Sequence, residues 1–179
     1  ARLEALATLF PLERVHAYDL VPERARSYAE EMRARLGVEV VPVATAKEAV
    51  RGMDLVVTSG PILKHPDPAI LAGWLAPGAF AAALDFDSYW SPAAMAEMDL
   101  LATDDAGQMA YYRTLGYFAG TPEPYADLGE LVTGRKPGRV DDAQRALAIN
   151  LGLAIEDVAM ARLVHERAVA AGVGVELEL

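Results

Sequence analysis

The sequence has 179 residues and no cysteine, 53% of its residues are hydrophobic, and its formal net charge is −10. This length fits a single domain with a sizeable core, and the missing cysteines exclude disulfides and thiolate metal sites. The negative charge argues against nucleic acid or an anionic membrane surface as a partner. No apolar run is long enough to cross a membrane, and residues 1–10 lack a signal-peptide pattern. These features are typical of a cytoplasmic protein.

Strand-like and helix-like segments alternate along most of the chain. Solid apolar runs indicate strands that are buried on both faces of a sheet. The predicted strands cover residues 14–18, 38–43, 54–60, 78–86, 98–105 and 145–150. Helical apolar spacing and capping residues indicate the helices. They cover residues 2–10, 22–36, 45–52, 67–75, 106–116, 127–134 and 152–172.

This alternation predicts an α/β fold with a doubly wound, mostly parallel, Rossmann-type sheet. Residues 1–150 form the predicted NAD-binding domain, and residues 151–179 form a C-terminal helix and tail. In such sheets, ligands bind at the carboxyl ends of the strands. We therefore expect functional residues in the segments that end or follow the strands, at 18–20, 58–61, 85–90 and 103–105.

The glycine fingerprint G-x-G-x-x-G, which follows the first strand of a dinucleotide-binding domain, is absent. The chain begins within what reads as the helix that should follow that loop. Because the first strand lies in the centre of a Rossmann sheet, a sheet without it would have a gap at its core. We therefore expect these residues to be a portion of a longer polypeptide.

Asp19 follows the first predicted strand and is a candidate cofactor-binding residue. An acidic side chain at this place in a dinucleotide-binding fold accepts hydrogen bonds from the adenosine ribose. It also repels a 2′-phosphate, which favours NAD over NADP as the cofactor. The alternative is a strand-end or helix-capping aspartate without a ligand.

Three small residues, Thr58, Ser59 and Gly60, close the strand at 54–60. Small side chains let a cofactor approach the backbone, although the segment is also compatible with an ordinary turn. Leu84 and Asn150, near the ends of two other predicted strands, are further candidate cofactor-binding residues.

The segment LDFDSYW, residues 84–90, places two acids and two aromatic residues directly after a buried strand. The acids are either solvated residues at a strand end, or one of them does chemistry. The segment alone leaves this choice open for Asp85 and Asp87.

The remaining titratable residues indicate no metal site. His16, His65 and His165 lie far apart and lack metal-ligand spacing, so we interpret them as structural. Asp104 and Asp105 are predicted to cap the helix that follows them.

Several motifs resemble the ornithine cyclodeaminase/mu-crystallin family. The most specific are ADLGELVTGRKPGR at 126–139, INLGLAIEDVAMARLVHERA at 149–168 and GVGVELEL at 172–179. The segments ERVHAYDLVPERA at 13–25, AVRGMDLVVTSG at 49–60 and WLAPGAF at 74–80 are similar to the nucleotide domain of that family. The likeness covers essentially the whole chain.

This resemblance implies a Rossmann domain joined to a dimerisation and substrate domain, and therefore a homodimer. The catalytic aspartate of the family lies in a G-[SD]-D-x-P-G-K-like motif after a buried strand. Alignment of that strand places Asp87 on this aspartate and Asp85 on the preceding glycine, which implies that Asp87 is the general acid/base and Asp85 its structural neighbour. Tyr89, Trp90 and Ser91 replace P-G-K, so the lysine is lost. This implies a different or bulkier substrate, with Tyr89 and Trp90 as candidate substrate contacts.

The resemblance further implies an NAD-dependent oxidoreductase that acts on the C–N bond of a small amino or imino acid. Two alternatives stay open: a cyclodeaminase-type lyase with catalytic NAD, and a non-enzymatic, mu-crystallin-like binding protein. The helix at 152–172 is apolar on more than one side. We expect it to pack partly on the sheet and partly toward the absent domain or a second subunit.

Overall fold

The computed structural model describes residues 2–177, which form an alternating series of strands and helices. The strands are β1 Arg14–Ala17, β2 Glu39–Pro42, β3 Leu55–Thr58, β4 Phe80–Ala83, β5 Leu100–Thr103, β6 Ala126–Asp127 and β7 Ala146–Ile149. The helices are α1 Arg2–Leu9, α2 Pro22–Leu36, α3 Ala46–Val50, α4 Pro92–Ala96, α5 Ala106–Thr114, α6 Leu128–Val132 and α7 Ala154–Ala171.

Five parallel strands form the main sheet, in the order β3-β4-β7-β5-β6, and β1 and β2 form a separate parallel pair. The register pairs Thr58 with Ala83, Ala83 with Ile149, and Ile149 with Thr103. The loops after these four strands therefore leave the sheet at one edge, side by side. The predicted α/β class and parallel sheet are confirmed.

Each sheet has its own apolar core. The core of the five-stranded sheet includes Phe86, Trp90, Met95, Phe118 and Ile149. The core around β1 and β2 is smaller and includes Leu3, Ala17, Ala29, Met32 and Val40. The loop after β4 thus contributes side chains to the main core, which fixes its backbone against the sheet.

Residues 67–75 are not helical, so that prediction is wrong. The amide N–H groups of Ala69 and Ile70 both donate to the carbonyl oxygen of Tyr89, at 2.9 and 2.8 Å. Pro68 adds a local reason, because a proline disfavours the helical conformation in the residue before it. Residues 67–70 of this segment lie against the loop after β4.

Helix α4 was not among the predicted elements. Ser91 caps it by accepting a hydrogen bond from the amide of Ala94 at 3.1 Å, and Pro92 occupies its first turn. Both are ordinary start signals of a helix, but only one short turn follows them.

Helix α7 is exposed along its length, and no residue in it is buried. Three of its apolar side chains, Ile155, Val158 and Val169, are 74%, 68% and 67% exposed. The predicted packing of this helix on the sheet is therefore not found. Residues 173–177 of the predicted tail form no strand, and residues 178–179 lie outside the described residues.

Candidate active site

Apart from Asp19, the predicted functional residues gather at the carboxyl edge of the main sheet, in the loops after β3, β4 and β7. Because β3 and β4 are neighbours, Thr58 and Gly60 lie against the segment 84–90. The loop after β7 carries Asn150 on the other side of β4. Asp19 follows β1 and belongs to the separate pair of strands.

Asp85 is a fully buried carboxylate with donors on both oxygens. Its Oδ1 accepts a hydrogen bond from Thr58 Oγ1 at 2.7 Å, and its Oδ2 accepts one from the Gly60 amide at 2.9 Å. The Ser88 hydroxyl donates to the Asp85 carbonyl oxygen at 2.5 Å. This carboxylate therefore ties the loop after β3 to the loop after β4, as expected for a structural neighbour.

Asp87 is 2% exposed but only half satisfied. Its Oδ2 accepts a hydrogen bond from Thr121 Oγ1 at 2.8 Å, whereas its Oδ1 has no hydrogen-bond partner among the described residues. Buried side-chain oxygens are nearly always hydrogen-bonded in native proteins. This incomplete hydrogen bonding sets Asp87 apart from Asp85 at the same edge of the sheet.

Thr121 is a residue of this site that the sequence analysis missed. It lies 34 positions from Asp87, in the loop between α5 and β6, and is 5% exposed. Nothing in the local sequence marks it, because its partner is brought to it only by the packing of that loop on the segment 84–90.

Tyr89 lies across the small loop after β3. Its hydroxyl donates to the carbonyl oxygen of Pro61 at 3.0 Å, and a Cβ on Gly60 would come within 2.5 Å of its ring. Burial raises the pKa of Tyr89, and the negative charges of Asp85 and Asp67 raise it further. The glycine is therefore needed here for the close approach of an aromatic ring of the same chain.

Trp90 is 1% exposed, and its Nε1 donates to Thr58 Oγ1 at 3.1 Å. Thr58 thus donates to one buried group and accepts from another, while Ser59 is exposed beside it. This geometry gives Trp90 and Thr58 a supporting role in the loop. Their predicted contacts with substrate and cofactor stay predictions.

A cleft of about 310 Å³ opens at the same edge, lined by Leu84, Asp104, Asn150, Leu151, Gly152 and Glu156. The Asn150 amide Nδ2 donates to the carbonyl oxygens of Ala148 and Ala83, at 3.2 and 3.4 Å. The structure thus brings the candidates Leu84 and Asn150 into one concave surface. A larger cleft of about 410 Å³ lies at the opposite edge, around Asp99 and Arg145, away from every candidate residue.

Asp104 has a different role from the one predicted. Its Oδ2 accepts hydrogen bonds from the amides of Leu151 and Gly152, both at 2.7 Å, and so fixes the loop after β7 that lines the cleft. The prediction that it caps α5 is wrong. Asp105 is the cap, since its side chain accepts from the Gln108 amide at 2.7 Å.

Asp19 lies half-buried just beyond β1. Its Oδ1 accepts a hydrogen bond from the Val21 amide at 2.8 Å, at the start of α2. Its Oδ2 accepts none from the described residues. The side chain therefore both caps the turn and keeps one oxygen available at a strand end.

The histidines make none of the contacts described above. His16 shares a hydrogen bond of 2.8 Å between its Nδ1 and the carbonyl oxygen of Glu48, while His65 and His165 are exposed. Among residues 2–177, no group of three His, Asp or Glu side chains is placed to hold a metal ion. No described helix is long and apolar enough to span a bilayer.

A comparison with protein families decides the relationship. The model of the ornithine cyclodeaminase/mu-crystallin family matches residues 1–172. The chain belongs to this family. The resemblance carried by its motifs is thereby confirmed, and the parallel sheet described above is the nucleotide-binding type of sheet found in family members of known structure.

Three family relatives are similar over nearly the whole chain. The alanine dehydrogenase of Archaeoglobus fulgidus is 30% identical over 186 residues, which covers 99% of this chain and 56% of that protein. The Delta(1)-pyrroline-2-carboxylate reductase of Thermococcus litoralis, solved with NADH and L-proline, is 25% identical, with a TM-score of 0.81 and coverage of 98% and 56%. An archaeal alanine dehydrogenase dimer with bound NAD is 25% identical, with a TM-score of 0.79 and coverage of 99% and 56%.

The chain spans about half the length of the curated relatives that it matches.

Proposed function

We propose that this chain is the nucleotide-binding part of an NAD-dependent oxidoreductase that acts on the C–N bond of a small amino or imino acid. The observation that carries this proposal is the buried carboxylate of Asp87, whose Oδ1 accepts no hydrogen bond from the described residues. Family membership supports it, and so do the NADH and L-proline bound to the reductase relative.

Asp87 is the proposed general acid/base. A buried carboxylate oxygen without a donor is unfavourable, and the N–H of a substrate amine or iminium group would supply that donor. In the oxidative direction the substrate carbon loses a hydride and its nitrogen loses a proton, and Asp87 takes the proton. In the reductive direction the same carboxyl group orients and protonates the nitrogen.

The candidate cofactor-binding residues would hold different parts of a dinucleotide. When bound, NAD would accept the hydride, and NADH would supply it in the reverse reaction. The Oδ2 of Asp19 is an acceptor suited to the hydroxyls of the adenosine ribose. Ser59 is exposed in the loop after β3, and Leu84 and Asn150 line the cleft beside it, so these three would hold the rest of the dinucleotide.

The preference for NAD over NADP is tested at Asp19. We expect the protein to use NADH better than NADPH, because the Asp19 carboxylate repels a 2′-phosphate. The Asp19→Ser variant keeps an oxygen that can cap the turn but removes the charge. We expect the ratio of kcat/KM for NADH to that for NADPH to fall in this variant by about tenfold or more.

The matched control for this experiment is Asp142→Ser, which removes an exposed carboxylate at the opposite edge of the sheet. Its cofactor ratio should stay at the value of the wild type. A wild-type protein that prefers NADPH would contradict the assignment of Asp19.

The proposed reaction is tested with the full encoded polypeptide, NADH and a panel of imines. The panel contains pyruvate or glyoxylate with ammonium, oxaloacetate with ammonium, and cyclic imino acids, and the absorbance of NADH is followed. We expect turnover with at least one of them. If the protein binds NADH but oxidises it with none of these imines, the proposed enzymatic function is contradicted and a non-enzymatic binding protein is favoured.

We also propose that the protein is a cytoplasmic homodimer, with residues 1–150 as its NAD-binding domain and residues 151–179 leading to a dimerisation and substrate domain. The exposed apolar side chains of α7 support a covered surface. The dimer of the archaeal alanine dehydrogenase relative supports a second copy as its occupant. Light scattering of the full polypeptide tests this, and a monomer at micromolar concentration would contradict it.

A further inference from the structure

We propose that Thr121 is a positioning residue for Asp87, an inference that rests on the proposed function. Thr121 Oγ1 donates to Asp87 Oδ2 at 2.8 Å, and both side chains are buried. No other hydrogen bond to the Asp87 carboxylate comes from the described residues. Because the two oxygens are rigidly linked, the donor that holds Oδ2 also sets the direction of Oδ1.

The loop that carries Thr121 is held by Arg113 at the end of α5. The Nη2 of Arg113 donates to the carbonyl oxygens of Thr121 and Pro122, each at 3.0 Å. Its Nη1 forms an ion pair with Glu123 at 2.6 Å. A guanidinium group with several partners fixes the backbone at and just after Thr121, so the threonine hydroxyl is placed by the fold.

Two strained phenylalanines lie beside the same contact. Phe86, next to Asp87, and Phe118, whose carbonyl accepts from the Thr121 amide at 3.2 Å, have φ angles of 59° and 56°. These two are the residues other than glycine with positive φ among the described part of the chain. Their rings pack with centroids 4.9 Å apart. Strain of this kind persists where packing over-determines the backbone, which is common at functional sites.

A purely structural role for Thr121 would satisfy a core aspartate, as Thr58 and Gly60 satisfy Asp85. The two sites differ in one respect. Asp85 has a donor for each oxygen, whereas Asp87 has a donor for Oδ2 alone. Thr121 thus fixes the orientation of the Asp87 carboxylate and leaves Oδ1 without a hydrogen bond. This is the arrangement that a reacting group requires.

The test uses the full encoded polypeptide and three substitutions. Thr121→Val removes the donor, Thr121→Ser keeps it, and Asp87→Asn removes the charge. With the best imine of the panel, we expect Thr121→Val to lower kcat by about 10- to 100-fold, since misplacement of a catalytic group has effects of this size. The KM for NADH and the NADH-binding constant, measured by fluorescence, should stay unchanged. Thr121→Ser should keep the kcat of the wild type.

A double-mutant cycle separates positioning from folding. In the Asp87→Asn background, Thr121→Val should lower kcat no further, because its effect passes through the carboxylate. Thr133→Val is the control, since it removes a threonine hydroxyl that donates to the carbonyl oxygen of Gly129 at 2.6 Å, away from every candidate residue. It should leave kcat near that of the wild type. Thr121→Ala replaces the valine variant in the cycle if the latter does not fold.

The outcomes distinguish the two proposals. If no imine of the panel supports NADH oxidation by the wild-type protein, the proposed function is overturned, and this role with it. An active wild type whose Thr121→Val variant keeps its kcat overturns the positioning role alone. The positioning role is also overturned if Thr121→Val lowers kcat by the same factor in the wild type and in the Asp87→Asn background. The same follows if Thr121→Ser does not keep the kcat of the wild type.

Discussion

Asp85 and Asp87 are two residues apart in one loop and both are buried, yet their carboxylate oxygens have different numbers of hydrogen-bond partners. On the side of β3, the Thr58 hydroxyl and the Gly60 amide satisfy both oxygens of Asp85. On the side of α5, Thr121 satisfies one oxygen of Asp87 and leaves the other without a partner among the described residues.

This difference shows that burial alone does not identify a reactive carboxylate. The exposures of the two side chains are 0% and 2%, which do not separate them. The completeness of their hydrogen bonds does, because an unsatisfied buried oxygen is tolerated only where something else compensates for it. Asp85 holds two loops together, and Asp87 keeps one oxygen without a hydrogen-bond partner among the described residues.

The largest expected effect is that of Asp87→Asn on turnover. The amide cannot take or give the substrate proton, so we expect kcat/KM to fall by about 10²- to 10⁴-fold. The free energy of unfolding, measured with urea, should change little, because the variant removes a buried charge that the fold satisfies only in part. Unchanged turnover would remove Asp87 from the mechanism.

The next effect in size is that of Asp85→Asn on stability. An amide nitrogen at one of the two oxygen positions faces a donor, either the Thr58 hydroxyl or the Gly60 amide. We expect the free energy of unfolding to fall by about 2 to 4 kcal/mol, since a buried donor loses its acceptor and a second polar group is left unsatisfied. Urea unfolding measures it, with Asp87→Asn as the matched control. An equal loss in the two variants would contradict the comparison.

The smallest effect is that of Tyr89→Phe, which removes the hydrogen bond to Pro61 that covers the Asp85 side of the loop. We expect a loss of about 0.5 to 1.5 kcal/mol at neutral pH, the usual contribution of one such bond. The measurement is urea unfolding at pH 7.

The same variant has a signature at alkaline pH. Burial, with the charges of Asp85 and Asp67, raises the pKa of Tyr89 in the folded protein. The unfolded chain therefore loses this proton first, at about pH 10, and stability falls as the pH rises from there through the folded pKa. Tyr89→Phe should lack this part of the fall. An identical alkaline slope in both proteins would show that Tyr89 is not shielded.

The fold could be predicted from the sequence where the signal is local. Thr45 and Asp105 begin their helices as ordinary caps, and the apolar runs became parallel strands. The helix predicted at 67–75 is wrong because its apolar spacing fits a helix, whereas the amides of Ala69 and Ile70 donate to the carbonyl oxygen of Tyr89 instead. Pairing between distant segments leaves no mark in a local pattern.

The candidate site divides in the same way. The place of Asp87 at a strand end could be read from the chain. Its incomplete hydrogen bonding could not, because this depends on Thr121 in a loop 34 residues away. Likewise, Asp104 looked like a helix cap, since its contacts with the amides of Leu151 and Gly152 cross 47 and 48 residues.

The contact between Gly60 and Tyr89 makes two distant positions share one volume. A Cβ at position 60 would overlap the tyrosine ring at 2.5 Å. A side chain at position 60 therefore forces the ring at position 89 to move, which breaks its hydrogen bond to Pro61. Substitutions at the two positions are coupled, so a change in the loop after β3 acts on the loop after β4.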